Sequence, residues 1–92
     1  MIIFEWDPRK AKTNFEKHSI TFDEASTVFK DTLTLTIEDP LHSDDEERLV
    51  LIGMSSKNRL LVVVHIEREE NIRIISARKA VKRERKYYEN NV

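Results

Sequence analysis

The chain has 92 residues, enough for one small domain that buries roughly 60–65 % of its unfolded surface. With 39 % hydrophobic and 36 % charged residues, one Gly, two Pro and no Cys, it is too apolar for disorder and too poor in Gly and Pro for a collagen-like or linker architecture. It also lacks the thiols needed for disulfides, thiolate metal sites or cysteine catalysis. The net charge of −1 hides an asymmetry, with six acids and no base from Glu38 to Glu47 but six bases and one acid from Arg78 to Lys86.

The chain opens with an expected strand over Ile2–Trp6. No apolar leader segment precedes Asp7, and the longest apolar run, Leu60–Val64, is too short to span a membrane, so the sequence reads as soluble and cytoplasmic. Asp7 suits a helix N-cap and Pro8 the first helical position. Ala11, Phe15 and His18 recur at i, i+4 and i+7, and are expected to form the buried stripe of that helix. Thr21 with Glu24 is a capping box that starts a second helix, its buried side being Phe22, Ala25, Val28 and Phe29.

From Leu33 the apolar period changes to two. Leu33–Ile37 reads as a strand with Leu33, Leu35 and Ile37 inward, and Glu47–Met54 as the next. Ser55–Asn58 is turn chemistry. Arg59–Ile66, apolar on both sides, is expected at the centre of the sheet. A charged turn, Glu67–Asn71, leads to a strand at Ile72–Ser76 and then to a helix from about Arg78 to Glu89. Strands joined this closely are antiparallel. The expected class is α+β in the order β-α-α-β-β-β-β-α, a central antiparallel sheet packed by helices in a single domain over 1–92.

On the last helix, Arg78, Lys82 and Arg85 form one cationic stripe and Lys79, Arg83 and Lys86 a second. Such a face is either solvated or bound to the phosphates of a nucleic acid. Tyr87 and Tyr88 beside it either stack on unpaired bases or anchor the helix. Ala77, Ala80, Val81 and Tyr88 are expected on its inner side, interrupted by Glu84. Among the histidines, His65 shares a strand face with Arg59, Leu61 and Val63, as a proton-transfer group or a satisfied sheet residue. His18 at a helix end reads as structural, and His42 in the acidic loop as exposed. Their scatter fits no metal-ligand pattern, and Asp44–Glu47 reads as a solvated run. One glycine excludes the phosphate-binding loops and the serine elbow, so no metal or cofactor is expected.

Several spaced residues together carry a family likeness. They are Phe4-x-Trp6-Asp7, Ala11-x-x-Asn14-x-x-Lys17-His18-x-Ile20-x-Phe22-x-x-Ala25 and Val28-Phe29-x-Asp31. Glu46-Glu47-Arg48, Ile52-Gly53, Arg59, Arg73-Ile74-Ile75-Ser76-Ala77-Arg78, Ala80, Glu84-Arg85 and Tyr88-Glu89 continue the series. The sequence resembles the BrnT-type toxins of bacterial type II toxin–antitoxin pairs, within the RelE-like superfamily. Ser19 and Asn58 depart from it, standing where glycine is usual, at a helix C-cap and in a turn.

The resemblance implies a RelE-like fold and a metal-independent ribonuclease that cleaves mRNA and arrests growth. It also implies a BrnA-like antitoxin as partner, with operator DNA contacted only through the complex that represses the operon. Cleavage by the ribose 2′-OH needs a base, an acid and cations on the phosphate. Arg78, where strand passes into helix, is the first choice for the phosphate, with Arg59 and Lys82 in support. Glu84 is a candidate to orient an arginine or carry a proton, and His65 and Tyr88 are the remaining proton-transfer candidates. Lys79, Arg83, Arg85, Lys86 and Tyr87 complete the expected RNA face. The competing reading is a non-catalytic module that binds RNA or docks a DNA-binding partner.

Overall fold

The computed structural model describes residues 2–31, 34–38 and 48–90. Its elements are β1 (Ile3–Glu5), α1 (Pro8–His18), α2 (Phe22–Thr27), a 3₁₀ turn at Val28–Lys30, β2 (Leu35–Glu38), β3 (Arg48–Met54), β4 (Leu60–Arg68), β5 (Asn71–Lys79) and α3 (Lys82–Asn90). The five strands lie in the order β1-β5-β4-β3-β2. The expected α+β order holds, and β4 is central. β2 to β5 pair antiparallel, as their short connections require, whereas β1 returns beside β5 in parallel. Leu33 and His42 lie outside the described residues.

The helix ends follow local chemistry. Asp7 caps α1, its Oδ1 accepting from the Arg9 N–H at 2.9 Å, with Pro8 just behind it. Ser19 closes α1 in the left-handed region at φ 59°, and Asn58 turns at the same φ. Both stand where a glycine is usual, and both adopt the conformation that glycine would ease. Thr21 Oγ1 accepts the Glu24 N–H at 3.1 Å. Only that half of the capping box forms, because the Glu24 carboxylate is used elsewhere.

The sheet has two covered faces. Against α1 and α2 lies a core that includes Ile20, Phe22, Val28, Leu51, Leu61, Val63, Ile74 and Ala77. Against α3 lies a smaller one of Ile52, Leu60, Val62 and Tyr88. Between Val64 and His65 the β4–β5 register slips, so that Val64 faces Ser76 while His65 faces Ile74. This bulge makes Ile75 the extra residue and puts both Ile74 and Ala77 on the α1 side.

Two expectations are corrected here. Of the stripe Ala11, Phe15, His18 only Ala11 packs against the core: Phe15 is 51 % exposed, His18 is exposed, and the fully buried residue of α1 is Asn14. Asn14 wins because its carboxamide takes the place of a neighbouring strand. Its Oδ1 accepts from Ala77 N at 3.0 Å, and its Nδ2 donates to Ala77 O at 2.8 Å and to Ile20 O at 3.1 Å. An edge peptide left unpaired under the helix would be a larger loss than an exposed Phe.

The last helix starts later than expected. Arg78 and Lys79 belong to β5, opposite Val62 and Leu61, and the Ala80 N–H continues the ladder to Leu60 O at 2.9 Å. The two helical cation stripes therefore do not exist as such. Ala77 is buried on the opposite sheet face, and Val81 is 53 % exposed rather than inward.

Gly53 is required by close approach. A Cβ there would lie 2.6 Å from Thr34 Cγ2 and 2.7 Å from Val28 Cγ1. Gly53→Ala is expected to lower stability by about 1–3 kcal/mol through overpacking, read as a lower midpoint in urea unfolding with the slope unchanged.

Candidate nucleic-acid interface

Arg78 lies on the α3 side of β5, and its side chain is 42 % exposed. Nη1 and Nη2 donate to Glu84 Oε1 and Oε2, each at 2.8 Å, and Nη1 also reaches Lys79 O at 3.3 Å. Glu84 Oε1 further accepts the Val81 N–H at 2.9 Å, which pins the carboxylate to the start of α3. The end-on fork of Arg78 is thus consumed. Its side-on fork, Nε with the second Nη2 hydrogen, carries no partner among the described residues, and two parallel N–H groups are what a phosphate accepts. The Arg78 hydrogen bond holds the Glu84 carboxyl below its usual pKa, and Glu84 in turn raises that of Arg78.

Arg59 is held in the opposite sense. Its Nε donates to Glu24 Oε2 at 2.9 Å and its Nη2 to Glu24 Oε1, so the side-on fork is filled by a carboxylate whose side chain is 1 % exposed. Ser55 Oγ donates to the same Oε2 at 2.7 Å. The pair ties α2 to the β3–β4 hairpin on the sheet face opposite Arg78.

Tyr88 is also tied. Its hydroxyl donates to Asp31 Oδ2 at 2.6 Å, and the same oxygen accepts the Met54 N–H at 2.8 Å. Asp31 therefore links α3 to β3 and to the end of the 3₁₀ turn. Burial, then the Asp31 carboxylate, pushes the Tyr88 phenol up to about 12, so at neutral pH it is protonated and donating.

His65 is 0 % exposed and packs edge-on against Phe29, with ring centroids 4.8 Å apart. Its Nε2 stands 3.3 Å from Glu67 Oε1, and its Nδ1 has no hydrogen-bond partner. Burial lowers its pKa, so the ring is neutral near pH 7. His65 and Arg59 thus face α1 and α2, and Arg78, Glu84 and Tyr88 face α3. The five catalytic candidates do not form one constellation.

The expected RNA-facing residues remain together. Lys79, Lys82, Arg83, Arg85 and Lys86 are all exposed, and Tyr87 is 49 % exposed. Tyr87, Arg83 and Glu84 form one wall of a groove of about 300 Å³, with Val50 and Ile52 of β3 as the other. No group of three or more His, Asp or Glu side chains gathers as a metal site among the described residues, and Asp44–Glu47 lie outside them.

Sequence reasoning assigned no role to Asn14 and Asp31, which hold α1 and α3 in place. A polar residue on a charged helix and an acid after a turn carry no periodic signal of burial. Their only mark was membership of the spaced pattern that carries the family likeness.

Residues 6–84 match the family model described as "Ribonuclease toxin, BrnT, of type II toxin-antitoxin system". The class is that of small α+β ribonuclease toxins of type II toxin–antitoxin systems, for which an antitoxin partner is implied. The chain belongs to the BrnT family of these toxins. Among solved structures it is similar to the ribonuclease toxin BrnT of Brucella abortus, at 26 % identity and a TM-score of 0.66, with 89 % of this chain and 100 % of that chain covered. No curated protein sequence matches significantly. Among the described residues no helix is long and apolar enough to cross a membrane.

Proposed function

We propose that this chain is one toxin domain that cleaves mRNA by metal-independent transesterification. A BrnA-like antitoxin encoded alongside neutralises it, and the pair represses its own operon, touching operator DNA through the antitoxin. The observation that carries the chemistry is Arg78. A guanidinium clamped at one end by Glu84, with a bidentate fork left over, is preorganised for the negative charge that develops on a phosphate under attack. Glu84 is then a positioning residue. Lys79, Lys82, Arg83, Arg85 and Lys86 supply sequence-independent attraction to the RNA backbone, and Tyr87 a stacking surface at the groove. Arg59 and Tyr88, committed to Glu24 and Asp31, act through the fold. The groups that work on the RNA are the chain's own side chains.

Inducible expression with and without the adjacent open reading frame tests this reading. Expression alone is expected to arrest growth and fragment transcripts, and co-expression of the antitoxin to restore growth. Purified protein should cleave in excess EDTA and leave 2′,3′-cyclic phosphate ends. A strict magnesium requirement with 5′-phosphate ends would point instead to metal-activated water. Normal growth and intact transcripts at confirmed soluble expression would favour the non-catalytic binding module.

A further inference from the structure

A second cationic surface lies away from α3. β1 covers the outer edge of β5 only as far as Arg73, and Asn14 takes over at Ala77. Between these two, at the bulge, the edge is left open. The resulting cleft of about 490 Å³ is lined by Arg9, Lys10, Lys17 and His18 from α1 and by Ile75 and Ser76 from β5. Lys10 and Lys17 are two helical turns apart, about 10 Å along the axis. The only acid in the cleft wall is Asp7 at its far end, 3.6 Å from Arg9. The side chains of Lys17 and His18 make no hydrogen bond or ion pair among the described residues. Ser76 and Arg78 stand opposite Val64 and Val62 on one face of β5, about 7 Å apart along the strand.

Transesterification also needs a group to take the 2′ proton, and the two candidates for it on the α3 face are already committed. Both oxygens of Glu84 are bound by Arg78, and Tyr88 donates to Asp31. On the other face the Glu24 carboxylate is held by Arg59 and Ser55, and His65 is 0 % exposed. Among the described residues, His18 is the exposed imidazole, and it lines that basic cleft.

We propose that the α1–β5 cleft holds the phosphate backbone of the substrate RNA, and that His18 is the catalytic base. This rests on the ribonuclease reading and extends it by naming the base and the second backbone contact. His18 takes the ribose 2′ proton as the 2′-oxygen bonds to phosphorus. The P–O5′ bond breaks with its electron pair on the 5′-oxygen, which takes a proton from water. The hydroxide so formed removes the proton from the imidazolium. Lys10 and Lys17 hold the non-bridging oxygens. The charged groups that line the cleft with His18 are Lys10, Lys17, Arg9 and Asp7 of its own segment, and β5 contributes no charge to the cleft wall.

The test compares wild type, His18→Gln and a Lys10→Ala/Lys17→Ala double variant on a single-stranded transcript. A 2′-O-methylated copy, which lacks the attacking hydroxyl, measures binding alone. His18→Gln is expected to slow cleavage about 10²–10⁴-fold. The thermal midpoint and the affinity for the methylated strand should be unchanged. The double variant should weaken binding and flatten the log-affinity against log-salt slope by about 1.4, at roughly 0.7 per phosphate contact. A His18→Gln protein that cleaves like wild type overturns the assignment of the base, and an unchanged salt slope overturns the backbone contact. Wild type that binds the strand but never cuts it would overturn the ribonuclease reading itself, and His18 as base with it.

Discussion

Arg78→Ala is expected to reduce the RNA cleavage rate about 10²–10³-fold, the loss typical of one preorganised electrostatic contact to a developing oxyanion. The guanidinium is fixed at both ends, by the β5 ladder behind it and by two 2.8 Å bonds to Glu84 in front. Little reorganisation is therefore needed when charge builds on the phosphate. The variant should stay folded, because Arg78 is 42 % exposed and Glu84 retains its bond from the Val81 N–H. Arg78→Lys separates charge from geometry: an ammonium keeps the charge but cannot present a fork, so activity should return only in part. Lys86→Ala near the end of α3 is the control, and should weaken RNA affinity modestly with the rate per bound strand unaltered. The measurements are single-turnover cleavage, thermal midpoint and antitoxin affinity. A wild-type rate for Arg78→Ala would remove Arg78 from the chemistry.

The largest stability effect is expected at Glu24. Its carboxylate, 1 % exposed, accepts from Arg59 and Ser55, and Glu24→Ala strands both donors. Because Arg59 keeps some access to water, the loss should fall below that of a fully buried pair, at about 2–3 kcal/mol. For a chain of this length that is roughly 10–20 °C in thermal midpoint. The same pair sets an acid limit. The Arg59 hydrogen bond holds Glu24 below its usual 4.5, so the unfolded chain takes up the proton first, and this stability is present above pH 4.5 and drains away below it. Glu84, lowered by Arg78, adds in the same direction. His65 acts at higher pH: burial lowers it from 6.5, so the unfolded chain binds protons first and stability declines as pH falls below 6.5. Thermal midpoints should drop in two stages on acidification. Glu24→Ala should flatten the lower stage, and His65→Phe, which keeps a ring beside Phe29, the upper one. A midpoint independent of pH between 7 and 4 would contradict both assignments.

Much of this protein is legible residue by residue. The caps at Asp7, Thr21 and Ser19, the period-two strands and the apolar centre of β4 are local signals, set by backbone geometry and side-chain alternation. The order of elements and the α+β class follow from them. The family likeness is of another kind, since spaced residues such as Asn14 and Asp31 mark the family without disclosing what they do.

The tertiary structure decided the rest, because partnership depends on which groups desolvation brings together and not on their spacing. By sequence, Arg78 is the first choice for the phosphate and Arg59 a supporting one, with nothing to show what either is bound to. In the fold Arg59 fills its side-on fork with a buried carboxylate on the α2 face, while Arg78 keeps that fork open on the α3 face. Periodicity favours Phe15 as the inward residue of α1, yet Asn14 turns inward, because the open edge of β5 needs hydrogen bonds more than Phe15 needs burial. From sequence Arg78 is expected to open the last helix, and pairing with Val62 places it in β5 instead. The same incomplete edge leaves the cleft beside His18, a residue whose place at a helix end had marked it as structural.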